Sequence, residues 1–90
     1  LNPNGQKTLF LKDKGLHGPI GLVMHPKTGY LYVANYLENN ITRISPDGKS
    51  SSVLASGLKK PYGLTLDAIH NTLYVSEQET NTVSRIELLP

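Results

Sequence analysis

The side chains in this 90-residue sequence that are singled out for chemistry fall into two groups. Lys59-Lys60, just ahead of Pro61-Tyr62, set two cations beside an aromatic face, the combination that holds anionic groups and stacks unpaired bases. Glu38, Glu77 and Glu79 belong to the same end of the strand pattern and oppose that charge. The formal net charge is +2, a modest field that makes RNA the weakest of the readings kept open. His17, His25 and His70 are the second group. No His-x-His or Glu-x-x-His pairing brings two ligands together, so they read as surface loop residues rather than a metal or acid-base site. Nucleophilic and nucleotide-binding motifs are absent from the sequence. Without cysteine there is no disulfide framework, no thiolate zinc site and no thiol nucleophile, and no Gly-x-Ser-x-Gly elbow or Walker loop supplies nucleophilic or nucleotide chemistry. No catalytic residue, metal ligand or cofactor is therefore assigned. The candidates that remain are binding residues: His17, Tyr36, Glu38, Lys59, Lys60, Tyr62 and Glu79.

The elements that must position these residues occur twice. Pro19-Ile20-Gly21-Leu22, Leu31-Tyr32-Val33 and Arg43-Ile44 return as Pro61-Tyr62-Gly63-Leu64, Leu73-Tyr74-Val75 and Arg85-Ile86, each after a constant step of 42 residues. Repeats of roughly 40 to 45 residues built from short strands mark β-propeller blades, and no 3.6-period stripe points to helices. The expected fold is all-β: two four-stranded antiparallel repeats of 42 residues, about 6–48 and about 49–90, in one propeller segment over 1–90.

Strand by strand, the order expected is D-A-B-C-D-A-B-C. Strand D covers Thr8 to Leu11 and Ser52 to Ala55; strand A, about 20–24 and 62–66; strand B, about 31–35 and 73–77; strand C, about 41–45 and 83–88. Each strand A is entered through a proline, Pro19 or Pro61, at a first position where a missing N–H is tolerated. Leu1 to Gly5 and Ser45 to Gly48 carry the same Pro and Gly turn chemistry, which makes the N-terminus the tail of a preceding blade. Alternation then puts the D–A and B–C loops on one rim, with Lys12, Lys14 and the candidate residues, and the A–B and C–D loops on the other.

Arg43 and Arg85 hold equivalent places in strand C, which suggests a blade-building role in which the guanidinium bridges between blades and the stem packs. Tyr32 and Tyr74 read as core residues, and Asn35 and Glu77 as turn-bonding ends of strand B. Asn40-Ile41-Thr42 matches a glycosylation sequon, though a chance match is expected in a chain this rich in Asn, Ser and Thr.

Composition fits a folded domain, with 38% apolar residues and no apolar run near the roughly 18 residues of a spanning helix. The chain opens at Leu1 without a charged and apolar leader and is expected to be processed or excised. Two blades leave two faces and an edge open to water. Completion is expected from a longer parent chain or from further copies, with a homotrimer of two-blade chains giving about six blades.

Pro-x-Gly-Leu, Leu-Tyr-Val-Ala-Asn, Asn-Ile-Thr-Arg-Ile and Pro-Asp-Gly together resemble the NHL and YVTN repeats, which overlap with the SMP-30/gluconolactonase-like propellers. The resemblance implies rings of about six or seven blades serving as scaffolds, protein or RNA binders, or hydrolases. Metal-dependent members of the SMP-30 group use acidic and amide side chains around the channel. Here Ile20 and Tyr62 stand between the Pro and Gly of strand A, and neither binds calcium. The expectation is a non-catalytic module, extracytoplasmic or secreted, that recognises a protein, peptide or glycan at the D–A/B–C rim. A lactonase-like hydrolase, with calcium ligands on other blades, is the alternative; RNA binding is the third.

Overall fold

The computed structural model describes Leu16 and residues 18–88, so the first expected strand D, with Lys12, Lys14 and His17, lies outside the described residues. Seven strands follow in chain order: β1 (Pro19–Met24), β2 (Leu31–Asn35), β3 (Asn40–Ile44), β4 (Ser51–Ala55), β5 (Pro61–Asp67), β6 (Thr72–Glu77) and β7 (Thr82–Glu87). They form two antiparallel meanders, β1-β2-β3-β4 and β5-β6-β7. In the sequence's lettering these are A-B-C-D and A-B-C. Strand D at 51–55 thus completes the sheet before it, as the tail-of-a-blade reading of the N-terminus requires, and the sequence repeat is offset from the sheet by one strand.

Both sheets repeat the same local device at their entry. The register slips between Pro19 and Gly21 in one and between Pro61 and Leu64 in the other, so each Pro-x-Gly forms a bulge where the first strand meets the second. Bulging increases twist and turns the first strand toward the neighbouring sheet. There, a Cβ added to Gly21 would lie 2.3 Å from the Tyr62 carbonyl oxygen, so glycine permits β1 and β5 to approach backbone to backbone.

The core lies between the sheets. Alternation sends Tyr32 and Ala34 of β2 to one face, where with Ile41 they join Leu73, Val75 and Leu88 in a single buried cluster. Leu64, Leu66 and Ile86 pack against it from the second sheet, and Val23 and Leu54 from the first. The first sheet therefore covers the second through a Tyr-Ala-Ile surface meeting a Leu-Leu-Val surface.

Stacking in one direction leaves the equivalent surfaces unequal. Ile41 is fully buried, whereas Val83, its counterpart 42 residues on, is 68% exposed. Tyr32 is buried and Tyr74 only half-buried for the same reason: among the described residues no further sheet lies on the second sheet's outer face. On the first sheet's outer face Leu22 and Met24 are exposed, and an open cleft of about 300 Å³ runs over Leu22, Leu31, Val33 and Ile44.

Among the described residues no helix is long and apolar enough to cross a membrane. Asn40 sits in β3 with its side-chain oxygen accepting from Asn35 Nδ2 at 2.9 Å, and Ile41 and Thr42 are buried, so the sequon is part of the sheet.

Candidate functional site

The loop between β4 and β5 crosses from one sheet to the next and is fixed to both. Toward the first sheet, the Leu58 N–H donates to the Asn39 carbonyl at 3.0 Å and the Lys60 N–H to Asn39 Oδ1 at 3.1 Å. Toward the second, the Gln78 N–H donates to the Lys60 carbonyl at 3.0 Å and the Glu79 N–H to the Lys59 carbonyl at 3.3 Å. The Lys59 N–H closes the set by donating to Glu77 Oε2 at 2.8 Å.

Glu77 is buried, and its other oxygen accepts a hydrogen bond from the Ser84 hydroxyl. A buried carboxylate is tolerated when its oxygens are satisfied, and here it binds the crossing loop to β7. Its counterpart Asn35 donates from Nδ2 to Thr42 Oγ1 at 2.7 Å and to Asn40 Oδ1. Glu77 thus bonds a loop, as the sequence reading expects, whereas these bonds of Asn35 go to residues of β3.

Backbone conformation at this rim follows the repeat. Gly18 and Lys60, 42 residues apart, both have positive φ, 63° and 59°, and each carbonyl accepts from the first residue of the next B–C turn, Tyr36 or Gln78. Asn39 and Asn81 are a second such pair, at 56° and 54°. Glycine and asparagine suit this left-handed region, but lysine does not, and Lys60 is held there by its hydrogen bonds on both sides.

Lys60 Nζ lies 5.3 Å from the Tyr36 ring centroid, a cation–π contact across the crossing loop. Of the seven sequence candidates, Tyr36, Glu38, Lys59, Lys60, Tyr62 and Glu79 lie on this rim or just below it, and His17 is outside the described residues. Lys59, Glu38, Glu79 and Tyr62 are exposed, and Leu37 adds an exposed apolar side chain that the sequence reading did not single out. A basic and acidic edge around two tyrosines and a leucine can dock a polypeptide through aromatic anchors with a polar surround.

The opposite rim departs from expectation at His25, which is buried rather than a surface loop histidine. Its Nε2 meets Asn71 Oδ1 at 2.9 Å, and its Nδ1 accepts from the Lys27 N–H at 3.2 Å. Asn71 in turn donates from Nδ2 to the Leu88 carbonyl at 2.7 Å, so the histidine stitches the two A–B loops together. His70 does stay exposed, 2.7 Å from Asp67, whose carboxyl is held below its usual range by that hydrogen bond. Among the described residues no three His, Cys, Asp or Glu side chains gather as a metal-binding group.

The two arginines also part company. The Arg43 guanidinium stacks over Tyr30 at 4.9 Å, while Arg85 is 66% exposed, with Nε 3.4 Å from Glu87 of its own strand. Neither bridges to a carboxylate on the other sheet.

Strand order, the bulged Pro-x-Gly entry and the braced crossing loop define an NHL-type β-propeller segment. A family model described as "Teneurin NHL domain" matches residues 4–90, and the chain belongs to that family. Among solved structures the chain is similar to one described as "Crystal structure of Nidogen/Laminin Complex", with a TM-score of 0.72 and 21% identity over 77% of this chain and 27% of that one. That likeness is one of fold, and the chain spans about a quarter of the structure it resembles.

Proposed function

We propose that this chain is a non-catalytic binding module: a segment of an extracytoplasmic propeller of about six or seven blades that recognises a protein or peptide at the rim of D–A and B–C loops. A glycan is the other ligand that the exposed Tyr62, with the half-buried Tyr36 beside Lys60, suits. The observation that carries this reading is the double attachment of residues 58–60, to Asn39 on one side and to Glu77, Gln78 and Glu79 on the other. A surface held on both sides loses little freedom when a partner docks. The similar solved structure is described as a nidogen and laminin complex, which agrees with a binding role. Remaining blades come from a longer parent chain or from further copies.

A displayed random-peptide library selected on the immobilised chain tests the site. Selected peptides should bind at least about tenfold more weakly to Tyr36→Ala and Tyr62→Ala, the loss of one well-buried aromatic anchor. Peptides insensitive to both variants, but weakened by changes at Asp47 or Ile69 on the opposite rim, would place binding elsewhere. A calcium-dependent rise in melting temperature would instead support the hydrolase alternative.

A further inference from the structure

Among the described residues, none gives Arg43 an anionic partner. It pairs across β3 and β4 with Ser52 and is half-buried, its guanidinium stacked on Tyr30. An open cleft of about 170 Å³ is lined by Arg43, Tyr30, Ser45, Ser50, Ser51 and Ser52, with Ser52 directly across from Arg43 and the Ser45 hydroxyl accepting from the Ser50 N–H at 3.0 Å. Among the described residues no carboxylate forms an ion pair with Arg43; the charged pairs are His70 with Asp67 and Arg85 with Glu87. Asp47, the nearest acid in sequence, accepts from the Ser45 hydroxyl at 2.6 Å and the Lys49 N–H at 3.0 Å. These bonds hold its carboxyl below its usual range and turn it to its own loop.

The second repeat shows what the first lacks. Residue 87, 42 positions after Ser45, is glutamate, and it supplies the oxyanion to Arg85. Residue 72, the counterpart of Tyr30, is threonine, so Arg85 has no ring to stack on and extends into water. In the first repeat the arginine is fixed by an aromatic face and the internal carboxylate is replaced by a hydroxyl. A stacked guanidinium keeps its N–H edge free for bidentate recognition of an oxyanion, and the hydroxyl of Ser52, its cross-strand neighbour, can donate to the same group.

We infer that the cleft around Arg43 binds a monovalent oxyanion, a carboxylate or a sulfate monoester carried by an external ligand. One guanidinium with neutral hydroxyls balances a single negative charge, whereas a phosphate monoester brings about −1.5 to −2 at neutral pH. The site is separate from the proposed binding rim, since it lies at the loop joining β3 to β4, and it does not depend on that reading.

Side-chain NMR of the ¹⁵N-arginine-labelled chain, titrated with methyl sulfate, acetate or methyl phosphate at constant ionic strength, tests the inference. The Arg43 Nε–H resonance should shift saturably, in the millimolar range, with methyl sulfate or acetate, and that of Arg85 should not. Which of the two binds more tightly tells a sulfate-bearing ligand from a carboxylate-bearing one. Ser45→Glu restores the internal carboxylate of the second repeat and should weaken binding about tenfold, the worth of one charge-assisted hydrogen bond. Equal, non-saturating shifts at Arg43 and Arg85 would overturn the site. So would preference for methyl phosphate, or binding that Ser45→Glu leaves unchanged.

Discussion

Gly21 and Gly63 hold the same place in the repeat, yet a methyl group added to each meets different surroundings. At Gly21 it would lie 2.3 Å from the Tyr62 carbonyl oxygen, a backbone atom that moves only if the sheets part; at Gly63 it would meet the Ser76 hydroxyl at 3.2 Å, a side chain that can yield by giving up at most the one hydrogen bond it accepts from the Gly63 N–H. Gly21→Ala should therefore cost about 1–3 kcal/mol in chemical denaturation, in the range of overpacking, and Gly63→Ala less than about 1 kcal/mol. Equal losses would mean that the glycines serve only the bulge. Tyr32 supports a second prediction at this scale. Burial pushes its phenol above the usual range, the Arg43 charge pulls it partly back, and Tyr30 adds a smaller upward push. A raised value favours the folded state while the phenol is protonated. The contribution is complete below the unfolded tyrosine value of about 10 and is lost as pH rises through the folded value. Denaturation midpoints should fall above roughly pH 10, and fall less in Tyr32→Phe; parallel profiles would assign the alkaline loss to other groups.

At the scale of elements, the crossing loop depends on Glu77 more than on its own residues. Glu77→Ala leaves the Lys59 N–H and the Ser84 hydroxyl without their acceptor and should cost about 1–3 kcal/mol, with faster amide exchange at Lys59 and Gln78. Glu77→Gln keeps an acceptor oxygen and should lose less. Unchanged exchange in the alanine variant would mean that Asn39 alone holds the loop. The strands and both rims were legible in the sequence because their determinants are local: prolines at strand entry, turn residues between strands, and a constant 42-residue step. His25 was not legible, since its burial depends on Asn71, 46 residues away. Nor was the divergence of the arginines. Tyr30 against Thr72 and Ser45 against Glu87 were on view, but their meaning requires knowing that both residues flank the guanidinium. For the rim, the sequence indicated which residues share an edge but not that the backbone of Lys60 is held in a left-handed conformation between two turns.

At the scale of the whole molecule, the contact between the two sheets is also a template for what their outer faces accept. Tyr32, Ala34 and Ile41 on one side meet Leu64, Leu73 and Val75 on the other. The outer faces carry the same positions, with Tyr74, Ser76 and Val83 at one end and Leu22, Leu31 and Val33 at the other; Val83 and Leu22 are exposed, whereas Val33 is buried. Such a pair is head to tail rather than self-complementary, so copies add in one direction and end only if a ring closes. Light scattering should show mass rising with concentration toward a closed oligomer. Leu22→Glu and Val83→Glu, at positions 64% and 68% exposed, should each block one end without unfolding the sheet. Every copy of a single variant then has the same intact face and lacks its complement, so each variant alone should be monomeric. Mixed in equal amounts, the two variants should form dimers of one to one composition, because the mixture contains one intact face of each kind. Self-association of either variant alone would show a self-complementary contact. A wild-type chain that stays monomeric at every concentration would show that its faces are closed only by blades of a longer chain.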